Sequence, residues 1–251
     1  MRVCVIAAHP DDETIGASAL LGSAHEVSIV HVTSGAPAEA RWWPAGITDR
    51  RGYARLRARE AEAALAIAGV GRIALDFTDQ ETMHLLAELV ATLDEICAYL
   101  EPALIVTHAY EGGHPDHDSV AFAVAALRST RPALRVVEMA LYHGAHDTLR
   151  AGELLGAPAG TRYVLDAADR VRRAQMIDAY RSQREVLAPF APIAHECLRA
   201  APAYDFTRPP HDGPLLYEQW GMADGREWRA CAGRLGQRYA CSATCSASTA
   251  S

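Results

Sequence analysis

Two short segments of the chain combine histidines with several carboxylates, a mixture that binds metal ions and transfers protons. They read A-H-P-D-D-E at residues 8–13 and E-G-G-H-P-D-H-D at residues 111–118. An imidazole and three carboxylates are costly to hold together unless a cation neutralises them. Both segments are therefore candidate parts of a metal site.

Proline limits the backbone of the first segment. Pro10 fixes its own φ and biases His9 towards an extended conformation, so the chain turns sharply at this point. We expect His9 and Asp12 to converge on one point while Asp11 takes a different direction. Two adjacent carboxylates should then divide into one metal ligand and one base.

Glycines and histidines define the second segment. Gly112 and Gly113 allow a close approach of the backbone or a positive φ. His114 and His117 are three residues apart at a predicted helix start, so both can face one cleft. Asp116 is placed to orient an imidazole.

Together the segments supply two histidines and one carboxylate, which is typical of a catalytic zinc site with one position open for water. The same donors also suit manganese, iron or cobalt. A lone His-Pro or Asp-Asp is usually a turn, and a lone His-x-x-His is more often a surface feature. The occurrence of both segments, each after a buried strand, favours the site.

The elements that position these residues alternate along the chain. We predict strands at Val3–Ala8, Glu26–Thr33, Arg72–Phe77, Ala103–His108 and Val136–Tyr142, and helices at Glu13–Gly22, Arg50–Ala68, Glu81–Leu100 and Asp118–Arg128. This order predicts an α/β fold with a Rossmann-like, doubly wound, mostly parallel sheet and helices on both faces. Ligands of such sheets bind at the carboxyl ends of the strands, where both segments lie.

The pattern loosens beyond Tyr142. We predict a strand at Thr161–Asp166, a helix at Ala167–Leu187, an irregular stretch at Ala188–Pro214 and a short terminal strand at Leu215–Trp220. Residues 1–232 are expected to form a single domain. Residues 233–251 are rich in Ser, Ala and Thr towards their end and are expected to form a disordered tail.

Composition excludes several function classes. The chain has 251 residues, of which 50% are hydrophobic and 22% charged, and its net charge of -7 argues against nucleic acid as the main partner. It contains no lysine, which excludes a Walker-type phosphate site and a Schiff base. It has no G-x-S-x-G and no apolar run long enough for a membrane span. Because no signal peptide is recognisable, we expect a cytoplasmic location.

With these residues in view, the chain resembles the LmbE/PIG-L family of zinc-dependent N-deacetylases. The resemblance rests on the paired motifs, on their spacing of about a hundred residues and on an R-x-R-E helix with Arg57, Arg59 and Glu60 between them. It covers roughly residues 2–142. It implies hydrolysis of a linear amide in a small N-acylated molecule, with acetyl as the expected acyl group and an amino sugar as the expected amine.

The resemblance also implies roles for individual residues. His9, Asp12 and His117 would bind zinc, and Asp11 would be the general base. His114 would stabilise the oxyanion or protonate the leaving amine, as an imidazolium supported by Asp116. Two alternatives stay open: an amidase acting on a non-sugar or thiol conjugate, and a metal-binding protein without turnover.

Other residues have two interpretations each. Arg50, Arg51 and Arg55 can hold an anionic substrate group, although solvated helix charges explain each of them better. Trp42 and Trp43 can stack on a sugar or cover the core, and Asp79 can line the cleft. Further candidates for the rim are His84, His143 and His146, whereas His25, His31 and His195 are expected to be packing or surface residues.

Overall fold

The computed structural model describes residues 1–23, 25–145 and 148–247, with side chains omitted at Arg238, Ala240 and 241–247. Its strands are β1 Arg2–Ala7, β2 Glu26–Pro37, β3 Arg72–Asp79, β4 Leu104–His108, β5 Val136–Met139, β6 Tyr142–His143, β7 Arg150–Ala151, β8 Thr161–Val164 and β9 His195–Ala200. Its α-helices are α1 Asp12–Gly16, α2 Ser18–Leu21, α3 Arg50–Ala68, α4 Leu86–Leu100, α5 Pro115–Thr130, α6 Ala167–Ala179, α7 Arg184–Leu187, α8 Leu216–Gln219 and α9 Gly225–Ala247.

Seven of these strands form the central sheet, in the order β3-β2-β1-β4-β5-β9-β8. The pairs β1–β2, β2–β3, β1–β4 and β4–β5 are parallel, and β9 pairs antiparallel with both β5 and β8. The strand order therefore reverses at β1, between β2 and β4. The predicted α/β fold with a mostly parallel sheet is confirmed.

Side chains that alternate along β1 feed two separate apolar layers. Cys4 and Ile6 pack with α4, α5 and α9, while Val3, Val5 and Ala7 pack with α3 and α6. All five are buried. A strand buried on both faces reads as a continuous apolar run, which is why the sequence predicts it well.

Several predicted elements differ from the structure. Leu215–Trp220 is not a strand: α8 forms there because the Glu218 carboxylate accepts the Leu215 N–H at 2.8 Å and caps the turn. The stretch Ala188–Pro214 is not wholly irregular, since it contains β9. The predicted helix at Ala167–Leu187 is divided into α6, a 3-10 turn and α7.

The C-terminal segment also differs from its prediction. Helix α9 continues through residue 233, where the sequence predicts a tail, to Ala247. Trp228 and Ala232 are fully buried, and Leu235 packs against the same apolar layer. Tertiary packing of one face thus supports a helix whose composition resembles a tail. Residues 248–251 lie outside the described residues.

Candidate metal centre and active site

The first motif lies at the carboxyl end of β1, beside the point where the strand order reverses. Asp11 has a φ of 122°, in the left-handed half of the map that non-glycine residues rarely adopt. Its carbonyl accepts the N–H groups of Thr14 and Ile15 and so starts α1. This turn directs Asp11 and Asp12 to different sides, as the sequence predicts.

The second motif lies at the carboxyl end of β4, the neighbouring strand. Gly113 has no room for a side chain, because a Cβ there would lie 2.2 Å from the Tyr142 carbonyl oxygen. Pro115 opens α5 directly after His114, and its fixed φ suits the first helical position. His117 therefore sits in the first turn of α5 and faces the β1 loop.

Donor atoms of three residues from the two motifs converge. His9 Nδ1 lies 3.3 Å from Asp12 Oδ2 and 3.2 Å from His117 Nε2, and Asp12 Oδ1 lies 3.2 Å from His117 Nε2. Ligands on a tetrahedral zinc with bonds of about 2.0–2.1 Å are separated by about 3.3 Å. The spacing and chemistry of these donors therefore fit a divalent metal.

Three further groupings of potential ligands overlap this one: His9, Asp79, His114 and Asp116 form the first, Asp12, His108 and His117 form the second, and His9, His114 and His117 form the third. In the first, Asp116 is already occupied. Its Oδ2 accepts the Gln80 N–H at 2.7 Å, and its Oδ1 accepts hydrogen bonds from the Thr82 N–H and hydroxyl.

In the second grouping, His108 is occupied in the same way. Its Nε2 accepts the Ala8 N–H at 2.8 Å, so the lone pair that a metal would need is already used. Burial, followed by the nearby charge of His117, lowers the pKa of His108 well below its usual range, and this ring is neutral. His108 packs flat against His117, with ring centroids 4.2 Å apart.

His9 turns its other ring nitrogen towards carboxylates. Its Nε2 lies 3.2 Å from Asp116 Oδ2 and 3.3 Å from Asp79 Oδ1. Burial lowers the pKa of His9, but Asp79 and the other carboxylates outweigh it and raise that pKa well above its usual range. The three buried carboxylates of Asp12, Asp79 and Asp116 thus favour positive charge at this point of the fold.

The Asp11 carboxylate lines the same cleft as His9 and pairs with helix α3. Its Oδ2 lies 2.9 Å from the Arg57 guanidinium, which also donates to the Pro10 carbonyl at 2.6 Å. Burial raises the pKa of the Asp11 carboxyl to about 7, although Arg57 lowers it. A carboxyl with a pKa near neutrality can accept and return protons.

His114 differs in one respect from its predicted role. Its Nδ1 accepts the Asp116 N–H at 3.2 Å, so the neutral ring carries its proton on Nε2, which lies 3.6 Å from Asp79 Oδ1. Burial lowers the pKa of His114 well below its usual range. Asp116 therefore orients His9, and Asp79 is the carboxylate that faces the protonated nitrogen of His114.

A buried polar network supports the β1 loop from below. Glu13 accepts a hydrogen bond from Tyr180 at 3.1 Å and lies 2.9 Å from His31 Nε2. The same carboxylate accepts the Asp11 N–H at 3.3 Å. His31, which the sequence suggests is only packing or surface, is fully buried and holds Glu13 in place.

His9, Asp11 and His114 line the base of a cleft of about 430 Å³, and Asp12 and His117 lie behind His9. Trp42 lines this cleft, whereas Trp43 does not and donates its indole N–H to the Pro37 carbonyl. Arg50, Arg51 and Arg55 do not line it either, so the structure gives no support to an anion site there.

The remaining histidines lie elsewhere. His143 is buried, and His25 and His84 are exposed; His195 is partly buried at the start of β9. His146 lies outside the described residues.

Two residues of the site could not be predicted from the sequence. The R-x-R-E helix contains Arg57, but nothing in the sequence pairs it with Asp11. Nothing in the sequence places His108 against His117 either.

No helix among the described residues has both the length and the apolar character required to cross a bilayer.

Solved structures with the same fold include two deacetylases and one hydratase. The zinc-inhibited form of teicoplanin deacetylase Orf2 is 21% identical over 74% of this chain and 86% of that chain, with a TM-score of 0.59. N,N'-diacetylchitobiose deacetylase from Pyrococcus horikoshii is 17% identical over 80% of this chain and 84% of that chain, with a TM-score of 0.56. GalB, the 4-carboxy-2-hydroxymuconate hydratase from Pseudomonas putida KT2440, is 14% identical over 81% of this chain and 97% of that chain, with a TM-score of 0.59. Because one is a hydratase, the fold by itself does not select the reaction.

Sequence comparison identifies the family. No curated protein sequence matches the chain significantly. Residues 4–127, which include β1 to α5 and both motifs, match the family model described as PIG-L: GlcNAc-PI de-N-acetylase. The chain therefore carries a domain of the PIG-L/LmbE family.

Proposed function

We propose that this protein is a metal-dependent hydrolase that removes an N-acyl group, with acetyl as the first candidate, from a small molecule that contains an amino sugar. One observation carries the proposal: a ring nitrogen of His9, a ring nitrogen of His117 and the Asp12 carboxylate lie 3.2–3.3 Å from one another, and the carboxyl of the adjacent residue Asp11 is not part of this group. A binding site alone has no need of such an additional base. The family match supports the same reaction.

The metal would be held by His9 Nδ1, Asp12 Oδ1 and His117 Nε2, a set that suits zinc and also other divalent transition metals. When bound, it would lower the pKa of water and polarise the amide carbonyl. Asp116 and Asp79 fix the His9 ring from its far side, so that Nδ1 faces the metal.

The remaining residues would move protons. Asp11 takes a proton from the attacking water, and Arg57 holds the carboxylate in position. His114 carries its proton on Nε2 at the cleft, where it can donate a hydrogen bond to the developing oxyanion or a proton to the departing amine. The products are a carboxylic acid and a free amine.

Released amine and acid test the proposal directly. Metal-loaded protein is incubated with N-acetylglucosamine, its glycosides, and N-acetylated amino acids and thiols, and both products are measured. Turnover on the sugars supports the proposal, and turnover on the other amides alone would transfer the activity to a non-sugar amidase. Bound metal with no turnover across the panel would favour a binding protein.

Asp11→Asn tests the assigned base. The variant keeps the size of the side chain and should keep the metal, but it cannot accept the proton, so kcat should fall by about two to four orders of magnitude. Metal content and kcat are measured on the same preparation. Near-normal turnover in this variant would show that another group is the base.

A further inference from the structure

The mouth of the cleft is formed by large apolar side chains. Trp42, Leu149, Val186 and Trp220 line it, and we call these four residues the collar. They come from four separate parts of the chain: the 3-10 turn after β2, the segment before β7, helix α7 and the residue after α8. Four distant segments thus present apolar groups to one opening.

Three collar residues are unusually exposed for their type. Leu149 is 46% exposed, Val186 61% and Trp220 40%. Single exposed apolar side chains are common on protein surfaces, but a group of them around one concave site marks a place where an apolar group binds. The collar is therefore a candidate subsite.

Aromatic rings connect the collar to the metal centre. The Tyr142 ring lies 5.2 Å from the His117 ring, 5.7 Å from Phe190 and 6.0 Å from Trp220, measured between centroids. These contacts form a continuous wall from a proposed metal ligand to the exposed mouth. A molecule whose amide reaches the base of the cleft would have its remainder against this wall.

The charges of the cleft favour a substrate without an anionic group. Apart from histidines, Arg57 is the one cationic side chain among the described residues that line it, and Asp11 and the Pro10 carbonyl already bind its guanidinium. Asp79 and Glu185 add carboxylates. Arg57 is 2% exposed, so a phosphate or carboxylate on the substrate would meet these carboxylates rather than an accessible cation.

We propose that the collar binds an aromatic or aliphatic group of the substrate, attached without a negative charge to the N-acylated amine or forming the acyl group itself. This inference rests on the proposed function and narrows its substrate class. A cleft of about 430 Å³ is of the size that encloses a small organic molecule, so the collar would hold a group of a few carbons or one ring.

Binding tests the subsite without requiring turnover. Calorimetry on metal-loaded protein compares phenyl and butyl β-glucosaminides with methyl β-glucosaminide, and N-hexanoylglucosamine with N-acetylglucosamine. We expect at least about tenfold tighter binding of the apolar member of one pair, because each buried methylene contributes favourably. Equal affinities within both pairs would overturn the inference.

A matched pair of valines identifies the subsite. Val186→Ser, alone and with Trp220→Ala, should remove most of the apolar preference, whereas Val171→Ser should retain it. Val171 is 59% exposed, close to the 61% of Val186, but does not line the cleft. An apolar preference that survives in the double variant would also refute the inference.

Hydrolysis of the acylated probes separates this inference from the proposed function. Release of amine from N-acetylglucosamine, its phenyl glycoside and N-hexanoylglucosamine at equal kcat/KM would support deacylation but refute the collar. Collar-dependent binding without any hydrolysis would do the reverse. Comparing kcat/KM for the glycosides with kcat/KM for N-hexanoylglucosamine shows which side of the amide faces the collar. As a test of charge, N-acetylglucosamine 1-phosphate should be a poorer substrate than the methyl glycoside of N-acetylglucosamine.

Discussion

His9 has a distinct partner at each ring nitrogen. Nδ1 faces Asp12 and His117, whereas Nε2 faces Asp79 and Asp116. A metal-binding histidine usually directs its second nitrogen to a carboxylate, which orients the ring. Asp12 and Asp79, which face opposite nitrogens of the His9 ring, should therefore have different effects on metal binding.

Two isosteric variants test this difference. Asp12→Asn should lose metal affinity by more than about 100-fold, since a ligand is removed, whereas Asp79→Asn should lose about 10–100-fold. Metal content after purification and competition with a chelating indicator measure both. The reverse order would place the metal on the Asp79 side of His9.

Arg57 sets the charge around the proposed base. Its guanidinium lowers the pKa of Asp11, which burial raises. In Arg57→Gln the lowering effect is absent, so the pKa of Asp11 rises. Since a base must be unprotonated to work, the acidic limb of the kcat/KM profile should move to higher pH, with kcat reduced about 10–100-fold.

Lysine at position 57 keeps the charge, so Arg57→Lys should move the acidic limb less than glutamine does. Arg59→Gln, an exposed change on the same helix, is the control and should leave the profile unchanged. A loss of rate with no movement of the limb would indicate that Arg57 acts by packing alone.

At the scale of elements, α9 supports the helix that carries His117. Trp228 is fully buried, and its indole N–H lies 3.1 Å from the Pro115 carbonyl and 3.0 Å from the Ser119 hydroxyl. Both acceptors lie in the first turns of α5. The C-terminal helix is therefore connected to the start of α5, where the second motif lies.

Trp228→Ala should destabilise the fold by about 3–5 kcal/mol, because it leaves a cavity and removes the indole donor. Urea unfolding measures the change. Trp220→Ala, at an exposed tryptophan, is the control and should change stability by about 0.5 kcal/mol or less. A Trp228 variant as stable as this control would show that α9 contributes little to the core.

Elements with a clear apolar pattern could be predicted from the sequence. Elements whose polar side chains are buried against partners far away in the chain could not. Strands β1, β2 and β4 contain buried apolar runs, and α3 has the predicted bounds of Arg50–Ala68. Strand β9 contains Glu196 and Arg199, both buried, which bind Ser18 and Glu138. These partners lie far away in the sequence, so no local pattern indicates a strand.

The same division applies to the site. The two motifs predicted which residues meet, because each follows a strand and adjacent parallel strands end at one edge. The hydrogen-bond partners of these residues are harder to predict. The sequence pairs the Asp116 carboxylate with His114, whereas in the structure it faces His9. The backbone N–H of Asp116 is what reaches His114, a capping contact that depends on the turn rather than on spacing.

On the scale of the whole molecule, burial of carboxyl groups makes stability depend on pH. Glu111 is 4% exposed and accepts the Leu155 N–H at 2.7 Å. Burial raises its pKa to about 8, despite that hydrogen bond. Because the folded state holds this proton more tightly than the unfolded state, its contribution is complete below about pH 4 and is lost as pH rises through 8.

Glu111→Gln removes this proton linkage. We expect the stability of the variant relative to wild type to increase between pH 5 and 9, by on the order of a few kcal/mol. Urea unfolding at each pH measures the difference. The control is Glu88→Gln at an exposed position, which should retain the wild-type dependence of stability on pH. If the unfolding free energy of both variants followed that of the wild type across this pH range, Glu111 would be ionised in the folded protein without cost.

The cleft is assembled from two regions of the chain. Every proposed metal ligand and proton-transfer group precedes residue 118, while three of the four collar residues follow residue 141. Evolution can therefore alter the second region without altering the first. A chimera that joins residues 1–141 of this chain to the later segments of a relative should keep its chemistry and acquire the relative's choice of substrate.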